Sequence, residues 1–429
     1  VRRILVFPCG SEIGLEIHRA VGTSAHFHLV GASSVEDHGR FVYDDYIGGL
    51  PMVDDPELVQ RIRRIVTDRS IDAIYPAMDS VIAKLKAHEE DIGCRVISPD
   101  AIIAETCLSK RKTYAALWGT IRLPKVYGHV DEVDQFPVFL KPEIGYGSRG
   151  VCTAYDRAQA LAHLSKRPDC MILEHLPGEE YTVDCFTSKG EILFVGPRER
   201  RRVVNGISVN TRTMESSSGF SRMAEVISVC LSMDGAWFFQ VKRASDGSLA
   251  LMEVACRFAG SSSVQRARGV NLPLLSIYNS FGEGVSIKPN NFPMELDRAV
   301  SVRFSARIDF ESVYVDYDDT LVSSSGDVNA KLVSFLFYCV NAGKRIVLLT
   351  RHRGDLDASL KEKRLTGLFD QVIRVQEGDR KSDRIVGPSI FIDDSHRERT
   401  EVMDSLGIPV FAPEAVVDLI VAHPEVQNF

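Results

Sequence analysis

Several common features are scarce or missing in this chain of 429 residues. None of its nine cysteines forms a C-x-x-C pair, which speaks against a zinc site of the usual spacing. Their odd number and irregular spacing suit free thiols in a reducing cytosol rather than a disulfide framework. The opening VRRILVFPCG has too short an apolar run for a secretory signal. No later stretch reaches the roughly 18 apolar residues that a membrane span needs. Basic residues are not in excess either: 51 Lys and Arg stand against 58 Asp and Glu, a net charge of -7. Nucleic acid is therefore not expected as the main partner, because phosphate backbones select basic surfaces. Internal repeats and low-complexity tracts are absent. The expectation is a cytoplasmic globular protein that engages neither membrane nor nucleic acid.

What is present divides into three parts, in keeping with a prior of about one domain per 150 residues. Residues 1–105 alternate short apolar runs with helical patterns: Ile4 to Phe7, then Glu12 to Ala20; His28 to Gly31; Pro56 to Thr67; Ile71 to Tyr75; Val81 to His88; Arg95 to Ile97. Such alternation predicts a parallel α/β sheet covered on both faces. Residues 106–308 mix longer strands with glycine-rich turns. Strands are predicted at Val138 to Lys141, Met171 to Glu174, Tyr181 to Thr187, Ile192 to Val195, Trp237 to Lys242 and Leu249 to Val254. Hairpins across Ser188-Lys189-Gly190 and Ser245-Asp246-Gly247 make this part α+β. Residues 309–429 return to strand–helix alternation, with strands at Val313 to Val315, Arg345 to Leu349, Gln371 to Val375 and Ser389 to Ile392.

The last part carries carboxylates where parallel sheets place their ligands, at the C-terminal ends of strands. Asp316-Tyr317-Asp318-Asp319-Thr320 follows the first strand, Thr350 ends the second, Lys381 comes later, and Asp393-Asp394 ends a third. Phosphoryl transfer to an aspartate uses a nucleophile, an acid for the leaving group and a divalent ion. These four motifs, in order over about 120 residues, resemble the haloacid dehalogenase superfamily of phosphohydrolases. The resemblance implies Asp316 as nucleophile, Asp318 as general acid/base, and Thr350 and Lys381 on the phosphoryl group. It implies Mg²⁺ on Asp316, on Asp393 or Asp394, and on the Asp318 carbonyl. The short interval from Asp316 to Thr350 leaves little room for a cap domain, so a bulky phosphorylated substrate is accommodated. His352 reads as a loop residue.

In the central part, Phe139-Leu140-Lys141-Pro142 runs into Glu143-Ile144-Gly145-Tyr146-Gly147-Ser148-Arg149-Gly150. A strand-borne lysine beside a glycine loop suits a polyphosphate, with the ammonium offsetting charge and backbone N–H groups approaching oxygens. The loop does not open a helix after a βαβ start, so it is not a dinucleotide fingerprint. Ile172 to Tyr181 supplies backbone groups and carboxylates suited to an adenine edge and ribose hydroxyls. Gln240 and Glu253 fall side by side in a predicted hairpin as oxygen ligands for Mg²⁺, with Arg257 following.

Together these residues resemble the ATP-grasp superfamily, especially carboxylate–amine ligases and carbamoyl-phosphate-synthase-like relatives. The resemblance covers about 300 residues and implies a Rossmann-like domain ahead of the ATP-grasp fold. It implies Lys110, Lys141, Gly147 and Ser148 on the phosphates, Glu174 and Leu176 on adenine, and Glu180 on ribose. Gln240 and Glu253 would hold Mg²⁺ (or Mn²⁺), and Arg257 would face an acyl phosphate. The sequence departs from the family pattern twice: Ser109 stands where an Asp is usual, and Ala255 replaces the Asn of Glu-x-Asn-x-Arg. The implied activity is ATP-dependent amide formation from a small carboxylate and an amine, fused to a phosphatase, in a chain that forms homodimers. Carboxylation through carboxyphosphate, or nucleotide sensing by a module that regulates the phosphatase, are the alternatives. The arginines Arg198, Arg200, Arg201, Arg202 and Arg212 read either as a carboxylate site or as a solvated basic face. Asp79 reads either as a cleft residue or as a helix cap.

Overall fold

A computed structural model describes residues 1–145, 147, 149–300 and 308–415. The chain divides into two compact units, Val1–Val300 and Ser301–Phe429.

The first unit opens with a five-stranded sheet. Its order is Asp45–Ile47, Phe27–Ala32, Arg2–Phe7, Ala73–Pro76, Arg95–Val96, and every pair is parallel. The run Ile4-Leu5-Val6-Phe7 shows why. Ile4 and Val6 enter one hydrophobic cluster while Leu5 and Phe7 enter another, so both faces of the strand are buried, as in covered parallel sheets. The helix Glu12–Val21 starts where Ser11 accepts the N–H of Gly14 at 3.0 Å, a side-chain cap of the ordinary kind. The expected boundary at residue 105 falls inside the helix Ala101–Leu108.

Two antiparallel sheets follow. The smaller, of four strands, is ordered Val126–Tyr127, Cys170–Glu174, Val138–Pro142, Cys152–Ala154. The larger, of six, is ordered Leu249–Ala255, Gly235–Arg243, Glu180–Ser188, Glu191–Val204, Ile207–Thr213, Glu295–Asp297. Side chains in strands alternate between faces, and the six-stranded sheet uses this strictly along Glu180–Ser188. Tyr181, Val183 and Cys185 join Trp237, Phe239 and Val241 in an apolar core. Glu180 and Thr182 instead face a cavity, with Arg198, Arg200, Gln240 and Glu253.

One strand is longer than expected. The segment expected to end at Val195 continues to Val204 and turns at Asn205-Gly206 into Ile207–Thr213. Asn205 and Gly206 have φ of 49° and 74°, the paired positive angles that a two-residue hairpin turn requires.

The second unit contains a parallel sheet ordered Gln371–Arg374, Arg345–Thr350, Ser312–Val315, Ser389–Ile392, Val410–Phe411. Between Val315 and the helix Ala330–Asn341 the described backbone holds two isolated bridges, Asp318 to Val322 and Val322 to Val328, and no cap domain. Among the described residues no helix is long and apolar enough to cross a membrane.

Candidate functional site

The first unit holds a cavity of about 520 Å³ bounded by both antiparallel sheets. Lys110, Lys141, Gly147, Glu174, Leu176, Glu180, Gln240, Glu253 and Arg257 all line it. Ser148 lies outside the described residues.

Lys141 projects from Val138–Pro142 and is buried; its ammonium donates to the carbonyl of Met252 at 3.1 Å. Burial pushes its pKa down to about 8; Glu253 and Glu180 oppose the shift, while Lys110 and Arg200 add to it. Lys110 opens the helix Lys110–Ala116 and donates to the carbonyls of Glu143 (3.4 Å) and Gly145 (3.3 Å). The serine found in place of the usual Asp has a visible structural task. Ser109 caps that helix by accepting from Lys112 N and donates to Glu143 at 2.6 Å. Lys110 is thereby tied to the start of the glycine loop, where Gly147 has φ of 62°, a conformation that favours glycine.

Gln240 and Glu253 are direct cross-strand partners. Directly opposite residues in an antiparallel pair carry Cβ atoms about 5 Å apart on one face, close enough to share one cation. Next to them the apolar trio Phe238, Ala255 and Ala259 packs together and lines the same cavity. Arg257 lies over the Phe238 ring at 5.4 Å. It donates through Nε and Nη2 to Asp79 at 3.0 and 2.7 Å. Asp79 is therefore a cleft residue and also the first residue of the helix Asp79–Ala87. At the same end of the cavity a Cβ on Gly260 would sit 1.7 Å from Glu12 Oε1, so only glycine admits that carboxylate.

Two carboxylates assigned to the nucleotide are already engaged. Glu174 receives Arg122 at 2.6 and 2.8 Å and the N–H of Lys125 at 3.0 Å. Glu180 lies 2.8 Å from Arg200 Nε.

The arginine run is neither a uniform basic face nor one anion site. Arg198 is fully buried and paired with Asp184 at 2.8 Å, with Ser261 and Thr211 taking further donors. Arg200 is held by Glu180 and the carbonyl of Gly206. Arg201 and Arg202 pair with Glu295 and Asp297 on the exposed edge strand, and Arg212 is exposed. Arg198 and Arg200 both line the cavity, and the sequence does not separate them from their neighbours. The Asn205-Gly206 turn announces the hairpin, but register shifts between Arg200 and Arg202 and between Arg202 and Val203 break the period-two alternation there, so the turn alone does not sort the run.

In the second unit Asp316, Thr350, Lys381 and Asp393 converge at the C-terminal ends of three adjacent strands, and all four are buried. Lys381 Nζ lies 2.9 Å from Asp316 Oδ1 and 2.6 Å from Asp393 Oδ2. Burial raises the pKa of both carboxyls, and the ammonium opposes it. Asp316 Oδ1 is shut off from water without an aligned hydrogen bond. Carboxylate oxygens of Asp316, Asp393 and Asp394 lie within 4.8 Å of one another, a hard-oxygen set that suits a divalent cation. Asp394 is fixed by Thr320, which accepts its N–H at 2.8 Å and donates to its Oδ1 at 3.1 Å. The Asp318 carboxylate stands apart from this trio, bonded to His352. His352 lies in a loop, as expected, with its ring nitrogen against Asp318.

Residues 166–302 match the sequence model of a family described as ATP-grasp in the biosynthetic pathway with Ter operon. A dapdiamide A synthase from Enterobacter agglomerans is 28% identical over 240 residues, 47% of this chain and 56% of that protein. The chain thus spans just over half the length of this curated relative. Among solved structures, an L-amino acid ligase from Bacillus licheniformis superposes with a TM-score of 0.55 and 15% identity, over 65% of this chain and 74% of that one. N5-carboxyaminoimidazole synthetase from Staphylococcus aureus, complexed with ADP, gives 0.56 and 15%, over 67% and 78%. The biotin carboxylase domain of 2-oxoglutarate carboxylase from Hydrogenobacter thermophilus, in complex with MgADP, ADP and bicarbonate, gives 0.57 and 16%, over 68% and 73%. This chain is similar to the ATP-grasp superfamily in sequence over residues 166–302 and shares the fold of these enzymes.

Proposed function

We propose that the chain is an ATP-dependent carboxylate–amine ligase joined to a Mg²⁺-dependent phosphohydrolase of the haloacid dehalogenase kind. The layout is a Rossmann-like domain at 1–105, an ATP-grasp domain at 106–308 and the hydrolase at 309–429. The observation that carries the ligase reading is the shared cavity of Lys141 with the Gln240–Glu253 pair. The similarity to a dapdiamide A synthase and an L-amino acid ligase supports amide formation.

The residues fit a nucleotide with a metal on its phosphates. A buried ammonium and a second lysine face one side of the tail, and an amide oxygen beside a carboxylate faces the other. Mg²⁺ bound at Gln240 and Glu253 would supply charge neutralisation on the phosphates. In the proposed reaction a substrate carboxylate attacks the γ-phosphorus of ATP and ADP leaves. The amine then attacks the acyl carbon and phosphate leaves. Lys141 and Lys110 hold the tail, and the glycine loop excludes water from the acyl phosphate. Arg257 faces that intermediate from its place beside Asp79.

For the hydrolase, the geometry of Asp316, Lys381 and the carboxylate trio supports the reading. Asp316 attacks the phosphorus and the ester oxygen leaves with a proton from Asp318; water then attacks the phosphorus of the aspartyl phosphate, returns a proton to Asp318, and phosphate leaves with Asp316 restored. Lys381 and Thr350 hold the phosphoryl oxygens, and Mg²⁺ at Asp316, Asp393 and Asp394 would offset their charge.

ADP release from ATP, measured with mixed amino acids and with bicarbonate, tests the ligase. Release that needs an amine supports it. Release that needs bicarbonate replaces it with carboxylation. Nucleotide binding with no turnover favours a sensing module, the reading to which Ala255 lends weight.

A further inference from the structure

His352 lies outside the four phosphohydrolase motifs, yet it is held on several sides. Its backbone N–H donates to Thr350 Oγ1 at 3.1 Å. Its ring meets Tyr317 edge-on, with centroids 5.0 Å apart, and Tyr317 is itself anchored through its hydroxyl to Ser359 Oγ at 2.5 Å. From this position His352 Nδ1 lies 2.8 Å from Asp318 Oδ1. An ionised carboxylate only accepts hydrogen bonds, so the contact with ionised Asp318 requires the ring proton on Nδ1. The Asp318 side chain is 55% exposed and that of His352 21%. Without a partner, an aspartate that exposed would sample several rotamers.

We infer that His352 is a positioning residue for Asp318. It grips one carboxylate oxygen and leaves the other free, aimed in one direction, to carry the proton that the departing alkoxide or phenoxide needs. The inference rests on the phosphohydrolase reading of this site. Proton delivery by a fixed side chain contributes about 10²- to 10⁴-fold to such steps, and loss of orientation forfeits part of it.

Leaving-group dependence separates positioning from general damage. p-Nitrophenolate departs without much help from an acid, whereas phenolate needs the proton. Steady-state hydrolysis of phenyl phosphate and p-nitrophenyl phosphate by the full chain with Mg²⁺ is compared for wild type, His352→Phe and His352→Asn. For His352→Phe, kcat is expected to fall about 10-fold on phenyl phosphate and about 2-fold on p-nitrophenyl phosphate, with KM unchanged. Asparagine, whose amide donates from a similar place, is expected to recover most of the loss. Equal losses on both esters, or no rescue by asparagine, overturn the assignment and leave His352 as a packing partner of Tyr317. If wild type hydrolyses neither ester, the phosphohydrolase reading fails and this inference falls with it.

Discussion

Arg257 grips Asp79, 178 residues earlier in the chain, through two hydrogen bonds of 3.0 and 2.7 Å. The pair joins the helix that follows the fourth strand of the parallel sheet to the end of the antiparallel one, and both residues line the cavity. Removing one partner leaves the other charge half-buried without its hydrogen bonds. Asp79→Ala is therefore expected to lower stability by about 2 kcal/mol in urea denaturation. An unchanged midpoint would show that the pair contributes nothing to holding the two parts together.

Lys141 makes the cavity pH-sensitive. Burial brings its pKa down to about 8, against about 10.4 in an unfolded chain. Below pH 8 both states are charged and the burial penalty is fully present. Between about 8 and 10.4 the unfolded state holds a proton that the folded state has lost, so this contribution to stability rises with pH. Anionic ligands need the charged form. MgADP binding is thus expected to weaken above pH 8 and to take up protons near that pH. Calorimetry in buffers of different ionisation heat reads both, and Lys141→Met should abolish the proton uptake.

Ala255 sits in an apolar trio with Phe238 and Ala259, at the position where the resembling family carries an amide. Wild type is expected to bind one Mn²⁺ with ADP, and Ala255→Asn two, as counted by electron paramagnetic resonance. Without metal, the buried amide lacks a partner and the variant should be less stable by about 1–3 kcal/mol. Equal metal counts would show that position 255 does not set the stoichiometry.

The carboxylate trio of the second unit predicts a stability response to Mg²⁺. A ligand that binds only the folded state stabilises by about 2.7 kcal/mol at 100 times its Kd. Mg²⁺ should raise the melting temperature of the wild-type chain, and Asp393→Asn should abolish most of that rise. A variant that responds like wild type would place the ion elsewhere.

Much of the fold was legible because strands announce themselves locally. Ile4 to Phe7 and Ser389 to Ile392 are short apolar runs bounded by turn residues, and both form strands with both faces buried. The Asp246-Gly247 turn announced the hairpin, but the register it sets would place Gln240 opposite Met252; a shift between Gln240 and Val241 brings Gln240 opposite Glu253 instead. Arg198 and Arg200 were not separable from Arg201 and Arg202. Their surroundings depend on Asp184, Glu180, Glu295 and Asp297, which come from two other strands.

The sequence by itself determined the alternation of strand and helix, the placement of carboxylates at strand ends, and the lysine ahead of the glycine loop. Period, turn chemistry and residue type are properties of neighbours in the chain. Only the tertiary structure decided that Asp79 partners Arg257, that Arg200 rather than Arg201 or Arg202 reaches the cavity, and that His352 holds Asp318. Each of these depends on distances between segments 20 to 178 residues apart. Those distances are set by sheet order and packing, which a linear pattern does not encode.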